Sequence, residues 1–313
     1  MSVESAAGAV EEDGRRPMKT TRASRTRCLR VKTPKAFTLI ELLVVISVIA
    51  VLMGILLPVL GRVRKQAQSV RCLAHLRHLG TAVAVYATEY DGLFPTSVRP
   101  YVGIPVGIRV WELLLGQMEM GDKEAIMLCP AAKRMPDIQP LDLGNGLRLF
   151  GGTYHAWWYG GYREVPEMRG SYAYNPSLSW REDRVRGTQG YSAHSAWRST
   201  ARIKKPYTVP VILDSQWLEA FHMNSSRGRR PPPSDNWALD SDPLMRGYPY
   251  SCINRHRGSV NALFFDSSVR RVGLKELWTL RWDHNEDTAN EWTMAGGVQP
   301  EDWPKWMRGF KDY

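Results

Sequence analysis

The sequence predicts an α+β chain: one long N-terminal helix, membrane-spanning in its first half and amphipathic in its second, followed by a β-rich domain with long loops. Three observations predict it. A basic stretch without core-forming residues fills positions 1–36, an apolar run starts abruptly at Phe37, and beyond residue 90 short β-branched segments alternate with Gly- and Pro-rich turns. The expected organisation is residues 1–36 as a basic leader, 37–61 as a transmembrane half-helix, 62–90 as its amphipathic continuation and 91–313 as a globular domain.

The leader holds nine Lys or Arg against four acidic residues and has no apolar periodicity. Such a segment buries too little surface to offset its chain entropy and is read as disordered. Its local charge of +5 also explains much of the chain's net +11, because the other 277 residues carry only +6. No nucleic-acid-binding motif accompanies that ordinary excess, and no nucleic acid is expected among the partners.

From Leu42 to Gly61 twenty consecutive residues are uncharged. A helix of that length spans about 30 Å, the thickness of the hydrocarbon core of a bilayer. A soluble core helix would show a polar face. A cleaved secretory signal would be shorter and would end in a small-residue site, whereas Gly61 is followed by RVRKQAQSV. The lipid bilayer is therefore an expected partner. Nine basic residues precede the run, and Arg62, Arg64, Lys65 and Arg71 follow it, so the charge bias places the N-terminus in the cytoplasm. Pro58 removes one backbone hydrogen bond inside the helix. Two readings stand: with Gly54 it makes a kink or melting point, or it is a tolerated membrane proline. Beyond Arg62 the apolar residues Val63, Ala67, Val70, Leu76, Val83 and Tyr86 recur at roughly helical spacing, which carries the helix to about Glu89. Tyr90-Asp91-Gly92 supplies a stop. His75 and His78 lie three apart and are read as an ordinary exposed pair, because no further metal ligand accompanies them.

The segment Lys35-Ala36-Phe37-Thr38-Leu39-Ile40-Glu41 with its apolar continuation resembles the processing site of type IV prepilins and type II secretion pseudopilins. The resemblance is strict over roughly residues 35–95. It implies a pilin-like fold, with the long helix packed on an antiparallel β-sheet, and a structural subunit of a pilus or type II secretion pseudopilus. It implies cleavage by a prepilin peptidase between Ala36 and Phe37, followed by N-methylation of Phe37. Family members usually carry Gly where this chain has Ala36. The family's acidic fifth residue falls on Glu41 and its helix proline on Pro58. The partners so implied are the prepilin peptidase, other pilin-like subunits and the inner-membrane assembly machinery, with the C-terminal domain periplasmic. Cleavage would place an α-ammonium one helical turn from Glu41. In a filament that ammonium can pair with Glu41 of a neighbouring subunit. Alternatively, Glu41 reaches back to the lipid head groups.

Of the four cysteines, Cys28 lies in the leader, and Cys72, Cys129 and Cys252 lack the close paired spacing of a zinc site. No metal or cofactor is assigned; a loop-bound Ca²⁺ is admitted by analogy with some pseudopilins, without nameable oxygen ligands. The helix segment beginning at Cys72 and the later Cys129-Pro130 are similar to a Cys…Cys-Pro arrangement in pseudopilin-like proteins. That similarity implies a Cys72–Cys129 disulfide, which would close a loop of about 57 residues and contribute around 4 kcal/mol. The alternative is two buried, reduced thiols; with the disulfide formed, Cys252 would be free. His256 followed after nine residues by Asp266 is similar to a His, nine residues, Asp-Gly signature of a large prepilin-like family, with Ser267 in place of the Gly. It implies a hairpin with His256 at one end of a strand and Asp266 at the turn.

In the C-terminal domain, Tyr207–Leu213, Asn261–Phe265 and Val269–Val272 have strand composition, and the aromatic, Gly-rich stretch 150–175 reads as turns and short strands. Residues 224–248, with RGRRPPPSDN, read as an exposed loop. LKELWTLRW reads as a short helix with Trp278 and Trp282 on one face. Together with Trp292, Trp303 and Trp306 these are core residues or, in a sharper reading, a sugar-stacking platform. Beside the structural subunit, the competing function is thus a membrane-tethered glycan-binding or adhesive module. An enzyme is not expected: the sequence has no G-x-S-x-G or H-E-x-x-H motif and no convincing carboxylate pair.

Overall fold

Helix α1 runs from Leu39 to Glu89, 51 residues, with Pro58 inside it. The structure is a computed structural model and describes residues 37–94, 106–116, 118, 123–142, 147–160, 167–178, 197, 203–220, 229–235 and 248–313. The leader, with Ala36 and Cys28, and much of segment 224–248 lie outside the described residues. The α1 C-terminus closes where the sequence predicts. Gly92 N–H donates to Ala87 O at 2.8 Å and Tyr90 N–H to Tyr86 O at 3.0 Å, with Asp91 (φ 51°) and Gly92 (φ 77°) in the left-handed region. Asp and Gly accept that conformation more readily than other residues.

The chain divides into two units, Met1–Gly54 and Ile55–Tyr313. In the first, every described residue is exposed. Among the described residues α1 is the one helix long and apolar enough to cross a membrane, and none of its apolar window is buried within the protein. A core helix of a soluble protein would be covered. Bare Leu, Ile and Val on every face need lipid or protein partners.

Among the described residues, the second unit holds two antiparallel sheets of four strands each. The first is a meander of β1 (Leu141–Asp142), β2 (Leu147–Leu149), β3 (Trp157–Tyr159) and β4 (Met168–Gly170). The second follows the order β5 (Tyr172–Tyr174), β6 (Pro210–Asp214), β7 (Ser259–Phe264) and β8 (Val269–Gly273). The sequence predicts a single sheet; the meander is an additional one, built around the Gly-rich, aromatic stretch near residue 150.

On the second half of α1, Cys72, Leu76, Leu79 and Val83 join one core with Tyr172, Tyr174, Ile212 and Leu263. A Cβ on Gly80 would stand 2.9 Å from Leu263 Cδ1, so the missing side chain lets helix and sheet approach closely. All six residues of β7 are buried, because the two faces of the strand alternate between two cores. Asn261 and Leu263 face α1, while Val260, Ala262 and Phe264 pack with Leu277, Trp278, Trp282, Trp303 and Met307.

Strand positions match the sequence reading within a few residues, and the differences have local causes. Pro206 opens a 3₁₀ turn over Pro206–Thr208, which delays β6 to Pro210. LKELWTLRW is not one helix: a 3₁₀ turn covers Lys275–Thr279, and extended Leu280 (φ −79°, ψ 151°) leaves Trp282 beyond it. Trp278, Trp282 and Trp303 are nevertheless at most 1% exposed, so they cannot stack on a sugar without opening the core. Likewise His75 and His78 are not an exposed pair, since His75 is half-buried and only His78 is exposed.

The β7–β8 turn keeps the predicted Asp266 and shows what Ser267 does. Asp266 Oδ1 accepts from Ser268 N–H at 3.0 Å and from Ser268 Oγ–H at 2.5 Å. Ser267 sits at φ 67°, a conformation suited to glycine. Relief of that left-handed strain is worth roughly 1–2 kcal/mol, and the extra entropy of glycine costs about 0.5–1 kcal/mol. Ser267→Gly is therefore expected to raise stability by roughly 0.5–1 kcal/mol, read as a higher denaturation midpoint at unchanged slope.

Candidate functional site

The N-terminal segment is organised by Thr38 and Glu41. Thr38 N–H and Thr38 Oγ–H both donate to Glu41 Oε2 at 2.8 Å, and Glu41 N–H donates to Thr38 Oγ1 at 3.2 Å. This is a capping box, in which a Thr at the N-cap and a Glu three residues on satisfy orphan donors of the first turn. The Thr-x-x-Glu spacing is visible in the sequence, but the charge role of Glu41 masks its helix-starting role there. Both side-chain bonds end on Oε2; among the described residues Oε1 takes none. The donating N–H belongs to the Phe37–Thr38 peptide bond. It therefore survives any cut before Phe37, which is itself 72% exposed. Pro58 lies in the exposed apolar stretch, and the helix assignment continues through it.

A second constellation lies in the core of the Ile55–Tyr313 unit. Cys72 comes from the buried face of α1, Asp214 ends β6, and Cys129 follows α3 (Lys123–Met127), the helix after α2 (Val106–Gly116). His256 precedes β7 and follows Arg255. Their ligand-type atoms all lie within 4.8 Å of one another, and all four residues are buried. His256 Nε2 stands 3.1 Å from Asp214 Oδ2 and 3.5 Å from Cys129 Sγ. Cys72 Sγ stands 3.6 and 3.7 Å from the two Asp214 oxygens and accepts from Tyr172 O–H at 3.3 Å. Arg255 Nη1 donates to Asp214 Oδ1 at 3.0 Å, and Asn261 N–H donates to Oδ2 at 2.8 Å.

The electrostatics follow from burial set against these partners. Burial pushes the Asp214 carboxyl up, but the His256 charge and hydrogen bond, Arg255 and the Asn261 N–H outweigh it and hold the pKa at about 2. For His256 burial disfavours the imidazolium, and Asp214 reverses that to about 9. Burial raises Cys129 too, yet hydrogen bonds from Cys72 and His256 and the nearby Arg255 bring it down to about 6. The same burial, with Cys129 and Asp214 alongside, pushes Cys72 up. Cys129 is thus the more acidic of the two thiols.

Cys72 and Cys129 lie in one buried cluster, where both are free thiols. His256 and Asp266 sit at opposite ends of β7, one buried and one exposed. The partner of His256 is Asp214, and no short spacing announces it. A Cys–His–Asp relay for catalysis would need the thiol and the carboxylate on different ring nitrogens. Here both face Nε2, and every member is buried. Cys252 stands apart, 3.9 Å from Met307 Sδ, with its thiol pushed well up by burial.

The family model for the prokaryotic N-terminal methylation motif matches residues 32–57. No curated protein and no solved structure matches the chain. The match covers the Ala36-Phe37 junction, Glu41 and the first part of the apolar helix. The chain thus carries a prepilin-type N-terminal methylation motif on a 51-residue helix that leads into antiparallel sheets, an arrangement consistent with a type IV pilin-like protein.

Proposed function

We propose that the chain is a structural subunit cut by a prepilin peptidase between Ala36 and Phe37, methylated at the new N-terminus, and assembled through residues 37–61 into a pilus or a type II secretion pseudopilus. The single observation that carries this reading is the methylation motif lying on an apolar helix whose surface is bare. In the membrane the leader is cytoplasmic and the β-rich domain lies on the other side, as the charge bias of residues 1–36 supports. The partners are the peptidase, other pilin-like subunits and the inner-membrane assembly machinery. The role is structural and not catalytic.

The test is N-terminal sequencing and intact mass of the protein extracted from its native membrane. The expected product begins at N-methyl-Phe37 and lacks the 36 leader residues. Protein that retains the leader, or begins elsewhere in the helix, would overturn the reading.

A further inference from the structure

We propose that Cys72, Cys129, Asp214 and His256 form a closed structural zinc site that staples α1 to the second sheet. The proposal stands on geometry first. A tetrahedral Zn²⁺ with ordinary bond lengths sets ligand edges of about 3.5 Å for S–N, about 3.4 Å for N–O and about 3.6 Å for S–O. The observed separations are 3.5 Å for Cys129 Sγ to His256 Nε2, 3.1 Å for His256 Nε2 to Asp214 Oδ2, and 3.7 Å for Cys72 Sγ to Asp214 Oδ2. Two soft thiolates, a borderline imidazole and one carboxylate oxygen converge on one point, a set that suits zinc better than a hard cation.

Charge supports the same ion. Two thiolates and one carboxylate, set against Zn²⁺, the Arg255 guanidinium and a neutral imidazole, leave no net charge in a fully buried volume, where an uncompensated charge is expensive. The outer partners are in place as well. Tyr172 O–H donates to Cys72 Sγ, and Arg255 and the Asn261 N–H hold the Asp214 carboxylate, the kind of support that orients metal ligands. Four protein ligands leave no open position for substrate, so the site is structural. One ligand, His256, also borders a cleft of about 580 Å³ together with Gln68, Ser69 and Tyr154.

The ligands come from four segments far apart in sequence, so binding would couple the helix, the loop after α3, the end of β6 and the loop before β7. Thiol coordination and a Cys72–Cys129 disulfide are mutually exclusive, which makes the proposal decidable. The full chain, purified in detergent without chelators, is expected to hold about one zinc per chain by elemental mass spectrometry. Cobalt exchanged into the wild-type protein should show a thiolate-to-cobalt charge-transfer band in the near ultraviolet. The paired change Cys72→Ser with Cys129→Ser should abolish both signals, and Cys252→Ser should leave both intact. The wild-type cobalt spectrum does not depend on any variant folding. Wild-type protein that takes up neither metal, or whose non-reducing peptide map shows a Cys72–Cys129 cross-link in place of bound zinc, would overturn the proposal. Zinc retained by the folded double variant would do the same.

Discussion

Arg255→Met is expected to destabilise the folded domain by about 3–5 kcal/mol, the usual cost of breaking a buried ion pair by removing one partner. It should appear as a large drop in the denaturation midpoint of the detergent-purified protein. Arg255 and Asp214 are both 0% exposed at their side chains. The guanidinium uses its whole fork. Nε donates to Thr153 O at 3.1 Å, Nη1 to Ser171 O at 2.6 Å and Asp214 Oδ1 at 3.0 Å, and Nη2 to Gly152 O at 2.8 Å and Ser215 O at 3.3 Å. Methionine fills much of the volume but leaves one carboxylate oxygen and four carbonyls without this donor. Each unsatisfied buried acceptor costs about 1–3 kcal/mol, and such costs overlap within one network. Arg255→Lys should recover only part of the loss, because an ammonium has three donors and no planar fork. A loss below about 1 kcal/mol for Arg255→Met would mean that water replaces the guanidinium and that the network is less closed than its burial indicates.

The same network shows where sequence reading stops. The helix was legible from end to end, because twenty uncharged residues, then a helical period, then Asp-Gly are all local signals. The β7–β8 hairpin was legible for the same reason, with Asp266 at the turn. The buried constellation was only half legible. The resemblance paired Cys72 with Cys129, but Asp214 ends an apolar strand that gives no hint of a charged function, and Arg255 reads as one more surface base. What unites them is the fold. On β6 the alternation of faces turns Asp214 toward α1, as Asn261 is turned on β7, and the positive φ of Arg257 and Gly258 shapes the chain between His256 and that strand. The first sheet was legible only as turns and short strands in the stretch 150–175; its pairing into a meander was not, because runs of two or three residues carry no measurable period.

The capping box changes how the role of Glu41 should be tested. Glu41→Val removes the acid and the cap together, so loss of assembly in that variant has two explanations. Glu41→Gln keeps the box, since glutamine serves at the same position, and removes only the charge. Thr38→Ala keeps the charge and removes the hydroxyl that holds it. If the carboxylate of one subunit receives the N-terminal ammonium of the next, Glu41→Gln should still be cleaved before Phe37 yet fall at least tenfold in its recovery from assembled pili or pseudopili, about 1.4 kcal/mol per subunit contact. Thr38→Ala should assemble close to the native level. The geometry permits both jobs at once, because the cap occupies Oε2 and leaves Oε1 to accept from a neighbour. The reverse ranking, with Glu41→Gln assembling and Thr38→Ala failing, would make Glu41 a helix-starting residue and remove the charge pair from the account of assembly. Cleavage measured in parallel by intact mass separates failure to process from failure to assemble.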